Sequence, residues 1–192
     1  MHRIFDRAFS DAAQALASFR ADPEIQSSLL EIAEALTEVL RKRGRVLVCG
    51  NGGSLADAMH FAEEWSGRFR GDRPAYPVLA LSDPTHLTCV ANDFGFEHVF
   101  SRQVEAFGHE GDLLIVLSTS GHSANIVEAA EAGRRRGMRV VGFLGKGGGR
   151  VRGLCDWCIV APGETSDRIQ ELHMLALHVL IEVVEEALGH GA

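Results

Sequence analysis

No stretch of this 192-residue chain reaches 18 uninterrupted apolar residues, which leaves no candidate for a membrane-spanning helix. Cysteine is scarce. Cys49, Cys89, Cys155 and Cys158 are too few and too irregularly spaced for a secreted disulfide scaffold, so reduced thiols are expected. The opening MHRIFDRAFSDAAQALASF lacks the charged start, apolar run and small-residue cleavage site of a leader. Together these absences predict a soluble protein of the cytoplasm. Positive charge is also in deficit: the formal net charge is −7, and the short run Arg134 to Arg136 reads as a solvated helix end, which argues against a nucleic-acid surface. An acidic chain that binds an anion must do so locally, through backbone N–H groups and hydroxyls.

What is present is ordinary globular material, 46% apolar and 23% charged, enough to bury a core. No internal repeat, low-complexity linker or composition break divides it, so residues 1–192 are expected to form one domain, a helical pair over 1–43 followed by an α/β core over 44–192. Residues 4–20 and 24–42 carry apolar residues at helical spacing, the second run opening with Asp22 and Pro23 and stopping at Gly44. Strand and helix patterns then alternate. The strands RVLVC (45–49), PVLAL (77–81), DLLIVLS (112–118), MRVVGFL (138–144) and WCIVA (157–161) are almost continuous apolar runs, which implies burial on both faces. Helical patterns over 54–66, 84–107, 123–136 and 164–188 lie between and after them. The expected fold is doubly wound α/β, a five-stranded parallel sheet flanked by helices.

Two loops could carry chemistry. CGNGGS (49–54) turns from a buried strand into a helix, with Ser54 expected to cap that helix; a tight turn without a ligand fits this motif equally well. It lacks the third glycine of a dinucleotide fingerprint, and Gly145 with Lys146 is followed by Gly147 where a P-loop needs Ser or Thr. STSGHS (118–123) also links a strand to a helix. Ser118, Thr119, Ser120 and Ser123 place four hydroxyls beside the positive end of the following helix, more than a simple N-cap requires, and this favours a phosphate. Both loops should follow central strands and face one crevice. Asn92 and Asp93 lie in an expected turn before Gly95, suited either to sugar hydroxyls or to an Asx turn.

His60 and Glu64 are four apart and share a helix face. Gln170 and His178 are eight apart on the last helix, two turns along and offset by roughly 80° at about 100° per residue. His60, Glu64, Gln170 and His178 together form a plausible shell for a zinc-like ion, while Glu64 and His178 compete as general base and acid. His173 reads as a partly buried or exposed helix residue. If Cys155 and Cys158 both lie on the fifth strand, their side chains point to opposite faces, so core or edge filling is the better reading of CDWC.

Six segments, CGNGGS, DAMHFAEE, VANDFG, FSRQVEA, STSGHSAN and DRIQELHMLALH, occur in an order and spacing that resembles the phosphoheptose isomerases, members of the sugar isomerase (SIS) domain group, over residues 20–189. The resemblance implies a flavodoxin-like five-stranded sheet and a homotetramer with active sites at subunit interfaces. It implies substrate contacts from Asn51, Gly52, Gly53, Glu64, Gln170, Asn92 and Asp93, and phosphate contacts from Ser118, Thr119, Ser120 and Ser123. It places one zinc per subunit on His60, Glu64, Gln170 and His178, with proton transfer by Glu64 and His178. The implied reaction converts sedoheptulose 7-phosphate to glycero-manno-heptose 7-phosphate through an enediol, feeding ADP-heptose and lipopolysaccharide-core synthesis. The rivals are a non-catalytic adaptor of similar fold that associates with the bacterial replication initiator, and an isomerase or sensor of another sugar phosphate. The adaptor group lacks the carboxylate and histidine that stand here as Glu64 and His178. Leu55, Ala56, His122 and the GKGGG turn are positions expected to vary within the family.

Overall fold

Asp22 and Pro23 punctuate the start of the chain. In the computed structural model, which describes residues 1–190, they separate α1 (His2–Ala21) from α2 (Pro23–Arg41). Asp22 Oδ1 accepts from the backbone N–H groups of Glu24 at 2.9 Å and Ile25 at 3.4 Å. Pro23 fills the first helical position, where a missing N–H costs nothing. The chain then alternates through β1 (Val46–Gly50), α3 (Gly53–Ser66), β2 (Val78–Ala80), α4 (Pro84–Asp93), α5 (Ser101–Phe107), β3 (Leu113–Ser118), α6 (Ala124–Arg135), β4 (Arg139–Gly145), β5 (Trp157–Ala161) and α7 (Ser166–Ala187). Short 3-10 helices cover Phe96–His98 and Val151–Leu154. The helical pattern over 84–107 is therefore broken, with Gly95 at φ 99° marking the break.

The five strands pair in parallel in the order β2-β1-β3-β4-β5. Alternate side chains enter two cores. Val46, Val48, Leu113, Ile115, Leu117, Val141 and Phe143 face α2, α3 and α7, while Leu47, Cys49, Leu114, Val116, Val140 and Leu144 face α4, α5 and α6. Both sides of each central strand are thus removed from water, at about 1.5–3 kcal/mol per large aliphatic side chain, which is why these segments read as continuous apolar runs. Only β2 departs from this pattern markedly, its Leu79 being exposed at the sheet edge. The strand order reverses between β1 and β3. Connections leaving those two strands diverge to opposite faces and open a crevice beyond their carboxyl ends, where CGNGGS and STSGHS lie.

Candidate active site

The crevice is a polar cavity of about 220 Å³ lined by Asn51, Ser54, Leu117, Ser118, Thr119, Ser120, Ser123, Ser166 and Gln170. The two loops do share one site. Ser123 occupies the N-cap position of α6, yet its side chain makes no capping bond, leaving the hydroxyl and the first-turn N–H groups for a ligand. Ser118 Oγ accepts from Gly121 N–H at 3.0 Å and Ser120 Oγ from His122 N–H at 3.2 Å. Each hydroxyl therefore keeps its own proton for donation. Thr119 Oγ1 and Ser166 Oγ lie 3.1 Å apart, joining the loop to the start of α7. The helix puts no acidic residue in its first turn and Arg134 and Arg135 in its last, a charge distribution suited to an anion at the N-terminus.

Asn51 is held by a reciprocal amide pair: its Nδ2 donates to Asn125 Oδ1 at 2.9 Å, and Asn125 Nδ2 donates back to Asn51 Oδ1 at 2.8 Å. Asn125 is buried on α6, so this pair fastens the first loop to the helix behind the second. Gln170 packs on Gly53, where a Cβ would stand 2.7 Å from its Oε1, and its Nε2 donates to Ser54 Oγ at 3.3 Å. A side chain at position 53 would displace that amide.

Farther along α3 and α7 the second cluster assembles. Ligand atoms of His60, Glu64 and His178 lie within 4.8 Å of one another. The Nε2 atoms of His60 and His178 are 3.1 Å apart, and His60 Nε2 is 3.4 Å from Glu64 Oε1. Ligands held at 2.0–2.1 Å in a tetrahedral zinc site stand about 3.3 Å from each other, so these residues fit a small divalent ion. Burial raises the Glu64 carboxyl above its ordinary value, with the charge of Glu63 adding to this and those of His60 and His178 opposing it. Glu63, in contrast, is a solvated neighbour 3.7 Å from His60 Nδ1.

Several expectations change. Ser54 does not cap α3: Gly52, at φ 55°, is the N-cap and Ser54 lies inside the first turn, because only glycine readily takes that left-handed turn into the helix. Asn92 and Asp93 end α4 rather than forming a turn, bond to each other at 2.8 Å and are absent from the cavity lining. His173 is fully buried. Cys155 precedes β5, so the opposite-face argument fails, and both Cys155 and Cys158 pack against the α4–α6 core. Ser54, Asn125 and Ser166 join the site without having been singled out as ligand contacts. Asp57 lies outside the cavity lining and the cluster but faces the charge of His60: burial pushes its carboxyl up to about 6, against the pull of His60, and its Oδ2 has no partner among the described residues. The i,i+3 spacing from His60 was a usable sequence signal for Asp57, whereas the Asn125 pairing spans 74 residues and left none.

Comparison with known proteins identifies the family and the fold. The SIS domain family matches residues 8–145. A phosphoheptose isomerase of Fusobacterium nucleatum is 51% identical over 170 residues, 88% of either chain. The structure of phosphoheptose isomerase GmhA from Neisseria gonorrhoeae superposes with a TM-score of 0.90 at 35% identity, covering 96% of this chain and 98% of that one. A phosphoheptose isomerase from Francisella tularensis gives 0.91 at 33% identity, covering 96% and 97%. With the same fold over nearly its whole length and about half its residues in common with such enzymes, the chain belongs to the phosphoheptose isomerase family of SIS-domain proteins.

Proposed function

We propose that this protein isomerises sedoheptulose 7-phosphate to D-glycero-D-manno-heptose 7-phosphate, a step toward ADP-heptose and the lipopolysaccharide core, as a cytoplasmic homotetramer whose residues 1–192 act as one domain. The supporting observation is the spacing of the two clusters. His60 follows Ser54 by six residues and His178 follows Gln170 by eight, about 9 and 12 Å of helical rise respectively. In an extended sugar phosphate each bond adds roughly 1.2 Å of reach, so C2 of a seven-carbon chain stands about 8–9 Å from phosphorus and C2 of a five-carbon chain about 6 Å. The longer substrate spans the gap.

In this reading Ser118, Thr119, Ser120, Ser123 and the α6 N-terminus hold the phosphate, and Asn51, Gly52, Gly53 and Gln170 align the chain. Asn92 and Asp93 are assigned to the sugar hydroxyls by family resemblance. Glu64 removes the proton from the hydroxyl-bearing carbon beside the carbonyl and returns it to the neighbouring carbon, its raised pKa bringing it closer to the working pH of a general base. His178 supplies a proton to oxygen and assists ring opening. His60, Glu64 and His178 would hold zinc, which when bound supplies a Lewis acid for the substrate oxygens, and Gln170, which bonds Ser54 in the phosphate cavity, is assigned to the same ion by family resemblance alone. A carboxylate has two oxygens, so ligation and proton transfer are compatible at Glu64.

The test is turnover in deuterium oxide followed by NMR. Aldose formation with deuterium at C2 is expected from sedoheptulose 7-phosphate, with slower reaction of five- and six-carbon analogues. Glu64→Gln should fold normally and lose at least about 10²-fold in kcat. Undiminished activity of Glu64→Gln removes it from the mechanism. A folded wild type inert with heptulose phosphate in both the presence and absence of zinc, yet active on a shorter sugar, would displace the proposed substrate.

A further inference from the structure

The segment between α3 and β2 reaches across to α7 at three successive points. The Phe69 ring stacks on His178, with centroids 5.8 Å apart and planes inclined by 26°. Arg70 Nη1 lies 2.8 Å from Glu182 Oε1, and Arg73 Nε donates to Glu185 Oε1 at 2.6 Å. His178, Glu182 and Glu185 are spaced i, i+4, i+7, so all three occupy one face of α7. Arg73 has a second grip. Its Nη2 donates to the Glu64 carbonyl at 2.5 Å and its Nη1 to the Trp65 carbonyl at 2.7 Å, both in the last turn of α3, where the Trp65 carbonyl also accepts from Tyr76 N–H at 3.1 Å.

We propose that Phe69, Arg70 and Arg73 form a strap that holds His178 against His60 and Glu64, with Arg73 as the positioning residue. The inference rests on the site assigned above but concerns groups outside it. The Arg70 pair is half exposed on both sides and contributes little by itself. Arg73 differs. Its side chain is 1% exposed and that of Glu185 8%, and its planar fork is divided between the helix that carries Glu64 and the helix that carries His178. The guanidinium also lies over Trp65, 5.3 Å from the ring, and Tyr76, 5.5 Å away. Packing on both sides leaves it little freedom to move. A lysine could keep the pairing with Glu185 but could not reproduce the fork to two carbonyls.

The experiment compares full-length Arg73→Gln, Arg73→Lys and Phe69→Leu with the wild type. Arg139→Gln, altered on β4 where Arg139 pairs with Glu38 of α2, is the control. Four quantities are read: thermal unfolding, kcat and KM for sedoheptulose 7-phosphate, zinc affinity by calorimetric titration, and the His178 ring-proton resonances assigned by their loss in His178→Gln. Arg73→Gln is expected to lower kcat and zinc affinity by about 10–100-fold while KM stays within about twofold, because the phosphate cavity is untouched. Arg73→Lys should fall between, and in both variants and Phe69→Leu the His178 resonances should move as its stacking on ring 69 loosens. The proposal is overturned if folded Arg73→Gln keeps wild-type kcat and zinc affinity, or loses activity while the His178 resonances stay fixed, which would leave Arg73 a purely structural role. Should Arg73→Gln not fold, Arg73→Lys and Phe69→Leu decide by the same readouts. If the wild type itself lacks isomerase activity, the substrate assignment fails, and the resonances and zinc titration still judge the strap.

Discussion

His173 shows how far a single side chain can depart from its local pattern. It lies on α7 among Leu172 and Met174, fully buried, with Nε2 2.9 Å from the Leu144 carbonyl oxygen and its ring edge-on to Phe143. Facing a carbonyl, Nε2 must carry the proton, and Nδ1 has no partner among the described residues. Burial pushes its pKa down to about 4, outweighing the bond to Leu144. Since the folded pKa lies below the ordinary value of 6.5, the unfolded chain binds a proton that the folded one refuses; stability is complete above about 6.5 and falls as pH drops toward 4. Urea unfolding should find about 2 kcal/mol less stability at pH 5 than at pH 7 from this group. In His173→Gln that increment should disappear, and an unchanged pH slope would show that His173 is not its source.

At the scale of elements, the hydroxyl-rich loop is shaped by a neighbouring turn. Gly121, at φ 65°, sits against the GKGGG turn after β4: a Cβ there would stand 1.9 Å from the Gly148 carbonyl oxygen, and Val151 N–H donates to Gly121 O at 3.1 Å. Gly121→Ala should therefore cost about 1–3 kcal/mol and displace the hydroxyls on either side. Denaturant unfolding checks the stability. Steady-state kinetics should show KM rising severalfold with a smaller change in kcat, whereas an unaltered KM would mean that the turn only supports the fold. The loop itself was legible in the sequence, because apolar strand, hydroxyl cluster and helix start follow one another within a dozen residues. The turn's role was not. The backbone contact behind it joins Gly121 to Gly148, positions distant in the chain.

Across the whole molecule, most of the apolar surface left uncovered lies on the helices, although Leu79 of β2 is also exposed. α1 buries only Phe19, while Ile4, Phe5 and Phe9 are exposed, as are Leu175, Val179 and Val183 on α7. The larger groove of about 610 Å³, between α2 and α7, is lined by Leu30, Val183 and charged side chains and brings no catalytic cluster together, so size is a poor guide to the site here. Apolar helix surface of this extent calls for a partner, and a second copy of the chain matches the proposed tetramer. Light scattering should give four times the chain mass of 20.8 kDa. Phe5→Asp combined with Phe9→Asp should lower that mass; a monodisperse monomer in the wild type would remove the tetramer. No helix among the described residues is long and apolar enough to cross a membrane.

Those features that depend on near neighbours were determined by the sequence itself: the Asp22–Pro23 helix junction, the two-face burial of the central strands, the hydroxyl-rich loop and the shared face of His60 and Glu64. Each follows from a period, a cap or a run of side-chain chemistry, physics that acts within a few residues. The tertiary structure decided the strand order that places both loops at one crevice, the Asn51 to Asn125 pair, the approach of His178 to His60, and the grip of Arg73 on two helices. Such contacts join groups tens to more than a hundred residues apart. Only the packing of helices on a twisted sheet, driven by burial that reads no individual pairing in advance, brings them within hydrogen-bonding distance.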